Sequence, residues 1–273
     1  MNNPLRPWRD ALEDLGLMGL VPPPPDPAAV VTEPAATPMV TRSPARTTPS
    51  PRPVAAPAAF IPPTDPVGCP SPEGVSSAAT LKDLEVAIQG CLACPLGAHR
   101  IRFVFGEGHP DARLMFIGEG PGQDEDLQGR PFVGKAGELL DKMIVAIGLK
   151  RSEVYIANVV KCRPPDNRTP TAAEAQRCLG YLRRQIELIR PEVIVLLGKT
   201  PLQELLGIST GITRMRGQWQ RLDMLGGIPV MPTFHPAYVL RQYTQDVRSA
   251  VWSDLKAAKG WLDTHPGKGA TPP

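Results

Sequence analysis

The chain has 273 residues, with 30 Lys and Arg against 27 Asp and Glu for a formal net charge of +3, and 5% aromatic residues. That length suits one large or two modest domains, and no apolar run is long enough to cross a bilayer, which excludes a helical membrane protein. Residues 1–80 carry five Lys and Arg against seven Asp and Glu, leaving 25 against 20 and a net +5 for the rest, a balance compatible with a polyanionic partner that does not by itself establish one.

Residues 1–20 include PWRDALEDLGL at 7–17, whose pattern predicts a brief amphipathic helix, either a frayed tail or a segment that docks a protein partner. LGLMGLV at 15–21 is too short for a secretory signal and follows Asp10, Glu13 and Asp14. The expectation is a cytoplasmic chain in a reducing compartment, where clustered cysteines point to metal rather than disulfides. Residues 21–80 are mostly Pro, Ala, Ser, Thr and Val, and 19 of the 34 prolines precede Lys82. A segment so poor in bulky apolar side chains cannot offset its ordering entropy and reads as a disordered linker of extended character. Cys69 within it reads as a bystander. The folded domain is expected over 81–265, with a disordered tail at 266–273.

Four apolar runs predict buried strands: LMFIG at 114–118, VYIANVV at 154–160, VIVLLG at 193–198 and IPVMPTFH at 228–235. Helical patterns lie between them at 136–149, 171–189 and 200–207. This alternation predicts an α/β domain with right-handed crossovers and a mostly parallel sheet covered on both faces. The strands end in GEGPG, NVVKCRPPDNR, GKTP and HPAY, and the ligand crevice of such sheets lies beyond those carboxyl ends. Four polar or glycine-bearing strand ends are therefore expected to converge on one site.

GCLACPLG places Cys91 and Cys94 in a C-x-x-C, Cys162 follows the second strand, and Cys178 lies on the next helix. A compact zinc finger would take its second pair from a nearby knuckle. Ligands dispersed this widely tie a pre-domain segment to the core and suit an all-cysteine iron–sulfur cluster better. Taken singly, Cys162 or Cys178 also reads as an inert buried thiol, though Cys162 sits between Lys161 and Arg163.

GEGPGQDEDLQGRPFVGKAG, at 118–137, has neither the spacing nor the terminal pair of a phosphate loop, and its acids would repel pyrophosphate. Glu119 falls at a strand end, where a carboxylate can position water or steady a developing cation. Glu125 and Asp126 read equally as a solvated turn. Phe132, in a glycine-rich loop, is a candidate platform for a planar ligand, with core packing as its rival. Asn158 interrupts an apolar strand, so its amide either satisfies nearby backbone or reads a ligand. His235 closes the fourth strand on the crevice side, whereas His99, His109 and His265 have no such placement.

These segments, with the cysteines at 91, 94, 162 and 178, resemble the family 4 uracil-DNA glycosylases, the iron–sulfur branch of that superfamily, over about residues 82–262. The resemblance implies a three-layer α/β/α domain with a four-stranded, mainly parallel sheet, and a [4Fe–4S] cluster of structural role on Cys91, Cys94, Cys162 and Cys178. It also implies hydrolysis of the bond between uracil and deoxyribose in single- or double-stranded DNA, in a cytoplasmic, nucleoid-associated protein. Phe132 would stack on the flipped base, Asn158 would pair with N3–H and O4, and His235 would donate to O2. Glu119 would orient water, and Glu125 would shape the pocket against the thymine methyl. Val239 or Leu240 would fill the vacated stack, while Arg241 meets phosphate. One relative in the superfamily captures DNA covalently through a histidine in an Arg-Arg-Ile-His insertion; RPPDNRTP here has no histidine, so hydrolysis is expected. The competing expectation is an iron–sulfur DNA-binding or interaction protein without catalysis, against which intact Glu119, Phe132, Asn158 and His235 stand.

Overall fold

A computed structural model describes residues 72–265 and Gly267. The helix expected at 7–17, the linker up to residue 71 with Cys69, and the tail beyond 265 apart from Gly267 lie outside the described residues. The chain enters through α1 (Pro72–Ser77) and α2 (Leu81–Ile88). Between them Ala78 is buried, and its carbonyl accepts from Arg184 Nη2 at 2.7 Å. Packing thus begins before residue 81. The start of α2 is encoded locally: Thr80 Oγ1 accepts from Asp83 N at 3.1 Å, and the Asp83 carboxylate accepts from Thr80 N at 3.0 Å.

After α3 (Leu96–His99) come β1 (Glu107–Gly108), β2 (Leu114–Gly118), α4 (Gln123–Gln128) and α5 (Lys135–Ala146). The second half runs through β3 (Tyr155–Asn158), α6 (Ala172–Ile189), β4 (Val193–Leu197), α7 (Lys199–Leu206) and α8 (Ile212–Met215). It ends with β5 (Gln220–Leu222), β6 (Ile228–Thr233), α9 (Pro236–Arg241) and α10 (Gln245–Thr264).

The strands form one mixed sheet in the order β1-β3-β2-β4-β6-β5. The inner pairs β3–β2, β2–β4 and β4–β6 are parallel, while β1 runs antiparallel to β3 and β5 antiparallel to β6. The sheet therefore has six strands where four were expected. The two additions are of two and three residues, too short to carry a period that sequence could reveal. Every residue of β2, β3 and β4 is buried, which is why these strands read as continuous apolar runs rather than alternating ones.

The helix α10 falls outside the expected elements. Its buried face (Val251, Trp252, Leu255, Ala258 and Leu262) is interrupted by Asp254, which breaks the apolar stripe. That carboxylate is compensated inside the fold: Arg216 Nε donates to it at 2.9 Å, and Thr233 Oγ1 of β6 at 2.6 Å. At the amino edge of the sheet, Arg113, just before β2, forms a fork on Glu192, just before β4, at 2.9 and 2.7 Å. Its Nη2 also donates to Leu262 O at 2.8 Å and His265 O at 2.9 Å, pinning the end of α10 there.

Candidate active site

Gly118 ends β2 opposite Asn158 of β3. A Cβ on Gly118 would lie 2.4 Å from Asn158 Oδ1 and 2.5 Å from Phe132 Cζ. Three residues from separate segments thus meet at one point, and only glycine leaves room there. Asn158 is 2% exposed, and its Oδ1 is buried without a hydrogen-bond partner. Leaving a buried acceptor open costs about 1–3 kcal/mol, so the position suits a donor that arrives with a ligand.

Phe132 is buried with a left-handed backbone (φ 51°), a conformation that costs a non-glycine residue about 1–3 kcal/mol. Three neighbours hold it. The Glu125 carboxylate accepts from Val133 N at 2.8 Å, Gly134 N at 2.9 Å and Gly122 N at 3.0 Å. Arg151 donates to Pro131 O at 2.5 Å and Phe132 O at 3.2 Å, and pairs with Asp141 at 2.7 Å. Gly137 packs so closely that a Cβ would lie 1.9 Å from Phe132 O. Glu125 does line the cleft, but its oxygens are engaged with the loop backbone. Asp126 is no solvated turn residue: it is 2% exposed and accepts from Ile101 N at 2.9 Å.

His235 caps α9, its Nδ1 accepting from Ala237 N at 3.1 Å, which leaves the ring proton on Nε2. Burial lowers its pKa to about 4, helped by nearby Arg241 and opposed by Glu125, so the imidazole is neutral near pH 7. Its ring centroid lies 5.6 Å from that of Phe132. Across the cleft, Glu119 Oε2 accepts from Thr200 Oγ1 of α7 at 2.5 Å. The cleft encloses about 480 Å³, and Glu119, Glu125, Phe132, Asn158, His235 and Arg241 all line it. The convergence expected from the strand ends is present in the fold.

The segment after His235 behaves differently from expectation at one residue. Val239 is 1% exposed on the inward face of α9, so it cannot reach a duplex without leaving the core. Leu240 is 41% exposed, and Arg241 is at the surface beside the cleft. Sequence reasoning also missed Thr200 and Arg151. Thr200 had a faint signal in the GKTP strand end; Arg151 had none, because its partners (Glu107, the Pro131–Phe132 loop and Asp141) come from three separate segments.

The cysteines form a second pole. None of the four described cysteines is in a disulfide. Burial raises the thiols of Cys94, Cys162 (to about 11) and Cys178 (to about 12), and neighbouring cysteines push each further up. Among the described residues, no three His, Cys, Asp or Glu side chains close to the spacing of a single bound ion. Donors already face the sulfurs: Arg100 Nη1 reaches Cys162 Sγ at 3.3 Å, Ala93 N reaches Cys91 Sγ at 3.4 Å, and Tyr181 Oη lies 3.2 Å from Cys91 Sγ. Four free, soft sulfur donors, two of them already met by outer hydrogen bonds, fit a polynuclear iron–sulfur group, which would displace the thiol protons on binding.

A sequence profile of the Uracil DNA glycosylase superfamily matches residues 105–256. A Type-4 uracil-DNA glycosylase of Thermotoga maritima is 49% identical, over 64% of this chain and 91% of the relative. One from Archaeoglobus fulgidus is 43% identical, over 65% of this chain and 90% of the relative. A Type-5 uracil-DNA glycosylase of Pyrobaculum aerophilum is 32% identical, over 48% of this chain and 63% of the relative.

Proposed function

The chain belongs to the uracil DNA glycosylase superfamily, and we propose that Asn158, Phe132, His235 and Glu119 are the residues with which it does its work. It is a DNA repair glycosylase that hydrolyses the bond between uracil and deoxyribose and leaves an abasic site. The observation that carries the assignment of roles is the orphaned Asn158 Oδ1 beside Phe132, over a glycine that keeps the space clear.

Uracil has to leave the stack before its glycosidic bond is accessible. Phe132 then supplies a face for the ring, and Asn158 Oδ1 accepts from N3–H while its amino group donates to O4. Cytosine reverses both atoms, so it would leave the buried amide mispaired. As the C1′–N1 bond breaks, its electron pair leaves on uracil and the sugar takes on oxocarbenium character. The neutral His235 donates Nε2–H to O2, where that charge gathers. Glu119, steadied by Thr200, orients the water whose oxygen adds to C1′ and accepts its proton. Glu125 excludes the thymine methyl through the loop wall it holds, Leu240 fills the emptied stack, and Arg241 meets phosphate.

Cys91, Cys94, Cys162 and Cys178 would hold a [4Fe–4S] cluster, which when bound cross-links three distant segments of the domain. The catalytic domain is read as three-layered, over residues 81–265 with α1 added. Among the described residues, no helix is long and apolar enough to cross a membrane.

Iron-loaded protein should cut labelled single- and double-stranded DNA at a lone uracil after alkaline treatment. Absence of scission would overturn the catalytic roles and favour a DNA-binding iron–sulfur protein. Anaerobic purification should give brown, iron-containing protein; stoichiometric zinc without iron would overturn the cluster assignment.

A further inference from the structure

Lys161 is 0% exposed, although it lies in the loop beyond β3. A lysine is rarely buried without a charged partner, because desolvating its ammonium costs several kcal/mol. Here its Nζ donates to the main-chain oxygen of Asn158 at 3.0 Å and to Gln185 Oε1 at 2.6 Å. Gln185, also fully buried, turns its amide nitrogen to Phe105 O at 3.0 Å and to Tyr155 Oη at 3.3 Å. Gln185 lies on α6, the helix that carries Cys178, and Lys161 immediately precedes Cys162. One buried node therefore joins the last residue of β3 to two of the cysteine-bearing segments.

We propose that Lys161 is a positioning residue that couples the cysteine pole to the base reader: its Nζ grips the main chain of Asn158 and ties it, through Gln185, to α6. The inference rests on the reading of Asn158 as the uracil-recognising amide. That amide depends on its backbone, because its Oδ1 has no protein partner to fix it. On one side the segment is held by β2, with Val159 N on Gly118 O at 2.9 Å and Val160 N on Glu119 O at 3.1 Å. Lys161 supplies the grip on the Asn158 carbonyl itself. When the four sulfurs share a cluster, the Cys162 loop and α6 are locked to each other, and the node between them is locked as well. Losing the cluster frees both of its supports.

The test compares the iron-loaded parent with Lys161→Met and Gln185→Met by hydrogen exchange in peptides covering Tyr155–Lys161, and repeats the parent measurement after chelation of its iron. Removing one charge-assisted hydrogen bond should speed exchange at the end of β3 by about tenfold or more in both variants, with iron content at the parent level. Stripping iron from the parent should produce the same local acceleration. Free uracil should bind both variants about tenfold more weakly or worse, while abasic DNA binds as before. Parent-like exchange and uracil binding in both variants would overturn the proposal, as would exchange at the end of β3 that ignores iron removal. Acceleration across the whole domain, with iron lost from both variants, would make the node a general core element and equally overturn it. Should Lys161→Met not fold, Gln185→Met carries the test, since it keeps the ammonium on the Asn158 carbonyl while cutting the tie to α6 together with the Gln185 bonds to Phe105 O and Tyr155 Oη. A parent that leaves uracil in DNA counts against the catalytic reading, and the exchange arms still decide the coupling.

Discussion

Asn158 offers an unfilled valence: its buried Oδ1 accepts nothing from the protein, and the proposed base discrimination rests on it. Replacing it by Asp removes the donor to O4 and puts a charge in a closed pocket, so Asn158→Asp should lower single-turnover uracil excision by about 100-fold or more. Any cytosine excision that appears would come from the reversed pattern. Thr200→Val frees Glu119 from the hydroxyl that steadies it and should cost about tenfold in kcat with little change in KM, whereas Thr200→Ser should keep most of the rate. His235 adds a pH signature. Burial, with Arg241, holds it at about 4, below its ordinary 6.5, so between those values the unfolded chain binds more protons than the folded one. The corresponding stability is present above about pH 6.5 and is lost as the pH falls toward 4. Thermal melts across that window should decline less steeply for His235→Gln than for the parent.

At the scale of elements, the loop from α4 to α5 is built to hold one ring in a strained place. Glu125 grips it from inside, Arg151 from outside, and Gly137 admits the Phe132 carbonyl. A methyl at Gly137 cannot be accommodated without moving that carbonyl. Gly137→Ala should destabilise the domain by about 1–3 kcal/mol or more, seen as a lower Tm, and should raise KM as the ring is displaced. Much of this level was legible beforehand. The inner strands are wholly buried and apolar, and Phe132, Asn158 and His235 were visible because each is an odd residue at a strand end or in a glycine-rich loop. What stayed hidden has physical reasons. Strands of two or three residues leave no period, and α10 hides its stripe behind Asp254, whose partners Arg216 and Thr233 are distant in sequence. Val239 was misjudged because one turn of helix decides which neighbour faces inward, and composition does not record that turn.

For the molecule as a whole, two poles share one sheet: a cleft at the carboxyl ends of the strands and a cluster of cysteines that joins α6 to earlier loops. The domain boundary is a prediction at this scale. A chain beginning at Pro72 should retain uracil excision and the parent Tm, because α1 and Ala78 remain. A chain beginning at Leu81 should melt lower, since it loses the Ala78 carbonyl that Arg184 engages and the Thr80 cap of α2. Proline content drew the expected boundary at residue 81, but composition cannot see a single buried alanine. The Arg113 anchor bears on how the protein can be handled. It fastens the end of α10 to the amino edge of the sheet, while the cleft opens beyond the carboxyl edge. A fluorescent reporter or a surface-immobilisation tag attached after that helix would depart from the opposite side of the sheet, leaving the entrance for nucleic acid unobstructed.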